Sequence, residues 1–327
     1  MKKVVILAFN NCLTSSVIGV LDVLEICNNF WKIQEKTEQN YFEVKLATVN
    51  GESITSFNSI PIKPAHSLKE IENVDLIIIP PVMNKIDQAL SENAHLIPWL
   101  VNLHSQGSTV ASICTGIFFL GESGLLDGKK ATTNPLVASL FNEYYPDVQL
   151  DLYQILIDEG DIITAGPTYA FVDLMIYLAE KYCGLEVALQ CSKLLLHDKN
   201  RSKQTPYFMA SIQRPHQDEE VKNVQDWLEN NCTKSMITIE SVANQFHMSP
   251  RNMVRRFRKE TGYTPLVYLQ RLRVDLAKKK LERTQLSIDE ITYDVGYTDR
   301  KSFGRLFKRQ TSLSLTEYRN RFSSRYT

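Results

Sequence analysis

The sequence predicts two architectures in tandem: an α/β unit with a doubly wound, flavodoxin-like parallel sheet, and an all-α unit holding two helix-turn-helices. Three observations predict this. Apolar runs rich in β-branched residues alternate with helical periodicities up to about residue 200. Beyond Asp218 only helical patterns follow. Charge divides at the same place: the 37 basic and 37 acidic residues cancel overall, yet residues 216–327 carry 21 basic against 14 acidic and the remainder 16 against 23. An acidic front with a basic back points the back toward nucleic acid.

A length of 327 residues suits two domains, and 43% hydrophobic with 23% charged residues excludes disorder and fibrous classes. Cys12, Cys27, Cys114, Cys183, Cys191 and Cys232 are scattered with no C-x-x-C pair, which fits a reducing compartment rather than a disulfide framework or zinc site. The opening apolar run, Val4 to Phe9, is too short for a signal peptide, and no stretch approaches the roughly 20 residues that span a bilayer. A soluble, cytoplasmic protein is expected.

In the first unit, Val4–Phe9, Val44–Val49, Leu76–Pro80, Thr109–Ile113 and Ile162–Ala165 read as strands. Helical stretches lie between and after them: Val17–Cys27, Met83–His104, Pro135–Tyr145, Thr168–Tyr182 and Leu185–His197. Ligands bind such sheets beyond the carboxyl ends of the strands, so the loops after Phe9, Pro80, Ile113 and Ala165 are the places to search. One of them runs a strand into a helix with Cys114 at the junction and Gly116 two residues on. A nucleophile elbow has this form, and backbone N–H groups at the helix start face an anion and lower a thiol's pKa. A cysteine as a small apolar turn residue is the plain alternative.

The words around it, Ala111-Ser-Ile-Cys-Thr-Gly, Gly121-Glu-Ser-Gly-Leu-Leu-Asp-Gly-Lys-Lys-Ala-Thr-Thr133, Val74-Asp-Leu-Ile-Ile-Ile-Pro-Pro81, Ile162-Ile-Thr-Ala-Gly-Pro-Thr-Tyr-Ala-Phe-Val-Asp173 and Gly184-Leu-Glu-Val-Ala188, resemble the PfpI-type, glutamine-amidotransferase-like fold. More narrowly, they look like its version in GlxA-type transcription regulators, over about residues 3–205. The resemblance implies a His after the cysteine and a Glu after the first strand in catalytic members. Here Thr115 follows Cys114, Ser15 stands at the acid's position in a gapless comparison, and Asn134 follows Ala-Thr-Thr where many such regulators have His. A thiol without a neighbouring base or acid is a poor nucleophile. The expectation is therefore a retained pocket without catalysis, with Cys114 a vestigial candidate. Ser15, Cys114, Thr115, Gly116, Asn134 and Thr168 are the candidate ligand-binding residues. Each of Ser15, Asn134 and Thr168 equally suits a loop or capping role. His66, His95, His104, His197, His216 and His247 show no metal-ligand spacing, and no metal or cofactor is expected.

Turn formers at 206–217 read as a linker between a sensor domain (1–205) and a second domain (218–323). Within the latter a repeat of 50 residues aligns Phe257-Arg-Lys-Glu-Thr-Gly-Tyr-Thr-Pro-Leu-Val-Tyr268 with Phe307-Lys-Arg-Gln-Thr-Ser-Leu-Ser-Leu-Thr-Glu-Tyr318. Ser249-Pro250 and Thr264-Pro265 read as N-caps followed by proline, and Ser287-x-x-Glu290 and Ser314-x-x-Glu317 as capping boxes. They place helices over about 250–261, 265–283, 288–295 and 315–321, with another at 299–311 after Thr298. At 100° per residue, Met253, Val254 and Phe257 share one face of helix 250–261 while Arg251, Asn252, Arg255, Arg256, Arg258 and Lys259 cover the other. Helix 299–311 repeats this with Phe303 and Phe307 inward. A solvated basic face is the plain reading of one such helix, but two copies, each second in a helix-turn-helix, read as major-groove recognition helices. The helix between them spans roughly 30 Å at 1.5 Å per residue, against about 34 Å between successive major-groove faces, so modest DNA bending is expected.

Ser249-Pro-Arg-Asn-Met-Val-Arg-Arg-Phe, Arg271-Leu-Arg-Val-Asp-Leu-Ala277 and Ser287 through Arg309 resemble the AraC/XylS-type DNA-binding domain over about 218–323. Two departures, Ser312 for the usual Gly and Leu315 for the usual Pro, follow the second recognition helix. The expected groove-facing set is Arg251, Asn252, Arg255, Arg256, Arg300, Lys301, Ser302 and Arg305, with Lys259, Lys308 and Arg309 on phosphates. The whole resembles a GlxA-type, AraC-family regulator, an activator by expectation. Its partners are double-stranded DNA, a small-molecule effector and RNA polymerase; a homodimer through the first domain stays open, and no membrane is involved. Two alternatives stay open: a cysteine-dependent hydrolase or lyase fused to a DNA-binding module, and a ligand-independent DNA-binding protein whose first domain serves only dimerisation.

Overall fold

The computed structural model describes residues 1–83, 85–198, 201, 203–207 and 218–323. The chain divides into two compact units, Met1–Gln204 and Thr205–Thr327. The expected linker begins at Pro206, but Thr205–Tyr207 forms a 3-10 turn belonging to the second unit, and 208–217 lies outside the described residues.

The first unit runs β1 (Lys2–Leu7), α1 (Thr14–Glu35), β2 (Phe42–Thr48), β3 (Ile54–Thr55), β4 (Pro61–Ile62), β5 (His66–Ser67), β6 (Leu76–Ile79), α2 (Ile86–Glu92), α3 (Leu96–Ser105), β7 (Thr109–Ile113) and α4 (Ile117–Glu122). It continues through β8 (Lys130–Ala131), α5 (Ala138–Tyr144), β9 (Gln149–Leu150), β10 (Leu156–Asp158), β11 (Ile162–Ala165), α6 (Ala170–Cys183) and α7 (Leu185–Leu194). Among the described residues a seven-stranded sheet has the order β10-β11-β7-β6-β1-β2-β5, parallel except for β10. Every residue of β6 and β11 is buried. Successive side chains point to opposite faces, so both faces are covered, which is why these strands read as unbroken apolar runs. α1, α6 and α7 pack as one group of helices.

The periodicity predicts one helix over 83–104, but two form. At the break the Asn93 side chain donates to Ala89 O at 2.9 Å, ending α2 with a local bond that competes with the helical ladder. Pro135–Val137 is a 3-10 turn ahead of α5, with Asn134 as its N-cap. The short strands β3, β4, β5, β8, β9 and β10 carry too few residues to show a period.

The second unit is helical among its described residues: α8 (Glu219–Asn231), α9 (Ile239–Gln245), α10 (Pro250–Thr261), α11 (Pro265–Arg283), α12 (Ile288–Asp294), α13 (Arg300–Thr311) and α14 (Leu315–Phe322). The Ser249, Thr264, Ser287 and Ser314 side chains each accept an N–H of the first turn. The cap of α13 is Asp299 rather than Thr298, accepting from Lys301 and Ser302. The unit has two cores. Val224, Leu228, Val242, Met253 and Phe257 gather around Tyr268 and Leu269 in the first half of α11; Ile291, Val295, Phe303, Phe307, Leu315 and Tyr318 gather around Val274, Ala277 and Leu281 in its second half. One 19-residue helix is thus shared by both helix-turn-helices and fixes their separation.

Candidate nucleic-acid interface and elbow pocket

Along the 50-residue repeat, positions 251–260 and 301–310 share one burial pattern except at a single place. Met253 and Phe303, then Phe257 and Phe307, are buried, while Arg251, Arg255, Arg258 and Lys259 stand exposed opposite Lys301, Arg305, Lys308 and Arg309. Pro250, Arg251, Val254, Arg255, Arg258 and Lys259 line an open groove of about 810 Å³ on the outer face of α10. Arg255 Nη2 donates to Asn252 Oδ1 at 3.1 Å, holding the guanidinium over that face.

The exception is Arg256. Expected among the groove-facing residues, it lies on the flank, at the position of buried Leu306, with its guanidinium on the carboxylates of Asp218 and Glu220. That guanidinium holds the Asp218 carboxyl below the usual carboxylate range. A helical wheel does not separate a flank from a groove face, and the acids that turn Arg256 inward lie 38 and 36 residues away. Arg300 also has a local partner, Asp289 at 3.2 Å, but remains exposed.

In the first unit β7 delivers Cys114 at its carboxyl end with φ +54°, a left-handed conformation that non-glycine residues enter at a cost. Gly116 is required for another reason. A Cβ there would lie 2.7 Å from Ile79 O and 2.8 Å from Pro80 O, so the elbow presses its backbone onto the end of β6. The Thr115 hydroxyl donates to Val82 O at 2.6 Å and the Thr133 hydroxyl to Cys114 O at 2.8 Å, pinning the turn from both sides.

Thr115, Asn134 and Thr168 lie near enough to the Cys114 sulfur to pull its pKa down. Burial pushes the thiol up from its ordinary value, and those neighbours oppose the shift only in part. Cys114 is 2% exposed and Thr115 7%, whereas Asn134 and Thr168 are half-buried and Tyr169 beside them is exposed.

Ser15 is half-buried in the first turn of α1. Ser16, fully buried, approaches Thr168 O at 3.5 Å. The signal for Ser16 was present in the helical period, because it precedes Val20 by four residues on the buried face of α1. Gln204, whose carboxamide donates to Thr132 Oγ1 and Thr133 O, was also missed. It joins the site across some 70 residues, which no local pattern announces.

The DJ-1/PfpI family model matches residues 2–181, and a helix-turn-helix domain model matches residues 242–321. The HTH-type transcriptional regulator CdhR of Pseudomonas aeruginosa is 24% identical over 305 residues, covering 93% of this chain and 88% of that protein. The HTH-type transcriptional regulator GbdR of Pseudomonas aeruginosa is 23% identical over 266 residues, 80% of this chain and 70% of its own length. Among solved structures, a transcriptional-regulator candidate from Vibrio parahaemolyticus aligns with TM-score 0.53 and 25% identity over 59% of this chain and 98% of its own. DJ-1beta of Drosophila melanogaster aligns with TM-score 0.51 and 20% identity over 60% and 98%, a likeness of fold. No helix of the described residues is long and apolar enough to cross a membrane. Matched by its family model over more than half its length, the chain belongs to the DJ-1/PfpI family, in the form that joins this fold to an AraC-type helix-turn-helix domain and regulates transcription by binding DNA.

Proposed function

We propose that this regulator is an activator controlled by a small metabolite held at the Cys114 elbow. The observation that carries the DNA half of the reading is the matched pair of basic helices, α10 and α13, on one rigid connector. Arg251, Asn252, Arg255, Arg300, Lys301, Ser302 and Arg305 read base edges, and Lys259, Lys308 and Arg309 meet phosphates. Arg256 leaves the groove-facing set and serves the fold. The connector is shorter than one turn of DNA, so binding both helices bends the duplex modestly. RNA polymerase is the further macromolecular partner, with dimerisation through the first unit an accessory arrangement.

Charge reversal at both Arg255 and Arg305 should abolish sequence-specific retardation of a DNA duplex with circular dichroism unchanged. Retained specificity would sink the groove assignment. Binding should weaken steeply with added salt as counterions are released.

In the first unit, Thr115, Asn134 and Thr168 offer hydrogen bonds to a small polar or anionic ligand, with Cys114 and Gly116 shaping the wall and Ser15 beyond it at the start of α1. A buried thiol with a raised pKa and no adjacent acid or histidine supports binding over catalysis. A ligand at 100 times its Kd stabilises the unit that binds it by about 2.7 kcal/mol, so a thermal-shift screen against metabolites tests the pocket.

One observation favours a second reading, a cysteine-dependent hydrolase or lyase: the left-handed Cys114 at a strand-to-helix turn. Thiol titration separates the two. A sulfur that alkylates only in alkaline solution supports the sensor, and one titrating below neutrality supports the enzyme.

A further inference from the structure

Two consecutive residues at the division between the units are each held firmly, one in each unit. Gln204 ends the first unit and is 2% exposed. Its backbone N–H donates to Tyr153 O at 3.0 Å, and its carboxamide nitrogen donates to Thr132 Oγ1 at 3.0 Å, Leu152 O at 3.0 Å and Thr133 O at 3.3 Å. The carboxamide oxygen is buried without a hydrogen-bond partner against Gly166, where a Cβ would stand 2.2 Å from it. The side chain therefore sits between two stretches, Thr132-Thr133-Asn134 and Gly166-Pro167-Thr168. The first stretch is tied to the elbow by the Thr133 hydroxyl, which donates to Cys114 O at 2.8 Å, and the two stretches carry Asn134 and Thr168, which pull the thiol's pKa down.

A glutamine serving only as a core anchor would have both ends satisfied. Here three acceptors share the two N–H groups of the nitrogen while the oxygen is orphaned, so the socket is tight but its occupant is incompletely paired. Thr205, the next residue, belongs to the second unit. Its carbonyl accepts from Lys278 Nζ of α11 at 3.1 Å. Its turn continues to Tyr207, whose ring lies 5.4 Å from Phe322 of α14 and 5.5 Å from the Arg321 guanidinium. α11 is the helix that sets the separation of α10 and α13.

We infer that the Gln204–Thr205 joint reports occupancy of the Cys114 pocket to the DNA-binding unit, with Gln204 as the positioning residue. This rests on the reading of that pocket as an effector site. A ligand that shifts Asn134 or Thr168 changes the walls of the Gln204 socket, and packed interiors switch between arrangements rather than stretch. One peptide bond joins Gln204 to Thr205, whose carbonyl accepts from Lys278 Nζ.

The test uses the full chain and a duplex that it selects from a random DNA pool. Carbamidomethylation of Cys114 by iodoacetamide, in which the thiolate displaces iodide, serves as the pocket occupant. A Cys114→Ala protein treated identically accounts for the other thiols. Alkylation confirmed by mass should shift the wild-type DNA Kd by at least about fivefold, and the shift should fall below about twofold in Gln204→Met and in a chain with two glycines inserted between Gln204 and Thr205. A full shift retained in the insertion chain overturns the inference, as does a wild-type Kd unmoved by confirmed alkylation. If Gln204→Met fails to fold, the insertion decides alone, because it leaves both anchors in place. Failure of the effector reading shows elsewhere: no metabolite stabilises the first unit, while the alkylation response and its loss on insertion still appear.

Discussion

The two helix-turn-helices use one template with different supports. α10 has arginine at 256, turned to Asp218 and Glu220; α13 has Leu306 there, buried in its core. α10 ends in Gly262 at φ +75°, with open space where a Cβ would stand; α13 ends in Ser312 at φ +64°, a side chain forced into the same left-handed turn. Both turns are closed alike, by Gly262 N–H to Arg258 O at 2.9 Å and Ser312 N–H to Lys308 O at 2.8 Å. α10 also has the Asn252–Arg255 bond, where the second copy has Ser302 and Arg305. The outward basic face is common to both, and each copy anchors it differently. Function thus constrains the exposed positions, while the flanks follow whatever each core and neighbour supply.

The largest effect expected from this contrast is at the position where the copies part. Leu306→Ala should destabilise the second unit by about 2–5 kcal/mol in urea unfolding, because it empties a packed site. Arg256→Ala should cost clearly less, since its partners return to water. Equal losses would show that the Arg256 cluster is as structural as the core.

Arg255→Ala should weaken specific DNA binding by about 1–3 kcal/mol and relax preference at one base position of the selected site. Arg305→Ala should relax preference at a different position. Relaxation at the same position by both variants would mean that the copies do not read separate half-sites.

A smaller effect is expected in the shared connector. Burial pushes the Asp275 carboxyl up to about 6, against the opposing pull of Lys278, Arg271 and Lys279. The folded state therefore prefers the protonated acid. The penalty for the charge is absent below the usual carboxylate range and grows as pH rises through about 6. Asp275→Asn should stabilise the unit by about 1–2 kcal/mol at pH 7, with the gain gone near pH 4. A gain independent of pH would place its origin elsewhere.

The smallest effect concerns the turns. Ser312→Gly should stabilise by up to about 1 kcal/mol by relieving the left-handed strain, and Gly262→Ser should do the reverse. Thermal unfolding of the two variants checks the pair, and a Ser312→Gly protein that melts earlier would refute strain as the difference.

The second unit was largely legible in the sequence. Four N-caps, the 3.6-residue period and the 50-residue repeat are local signals, and each helix they predict forms within a residue or two of its expected bounds. In the first unit the central strands were equally plain, because doubly covered strands are unbroken apolar runs. The parts that escaped depend on distant partners. The interruption of 83–104 hangs on Asn93, the serine that approaches Thr168 O is Ser16, and Arg256 is claimed by acids far along the chain.

The order of residues alone decided where helices start, which faces are apolar, that the back half is basic, and that Cys114 stands at a strand-to-helix turn beside Thr115 rather than a histidine. Those properties are written within a few residues of one another, through caps, period and composition. Folding alone decided that the sulfur is buried, that Arg256 turns to Asp218 and Glu220, and that Gln204 is inserted between Thr132-Thr133-Asn134 and Gly166-Pro167-Thr168. Each of these joins groups tens of residues apart, and such distances close only when the strands and helices pack.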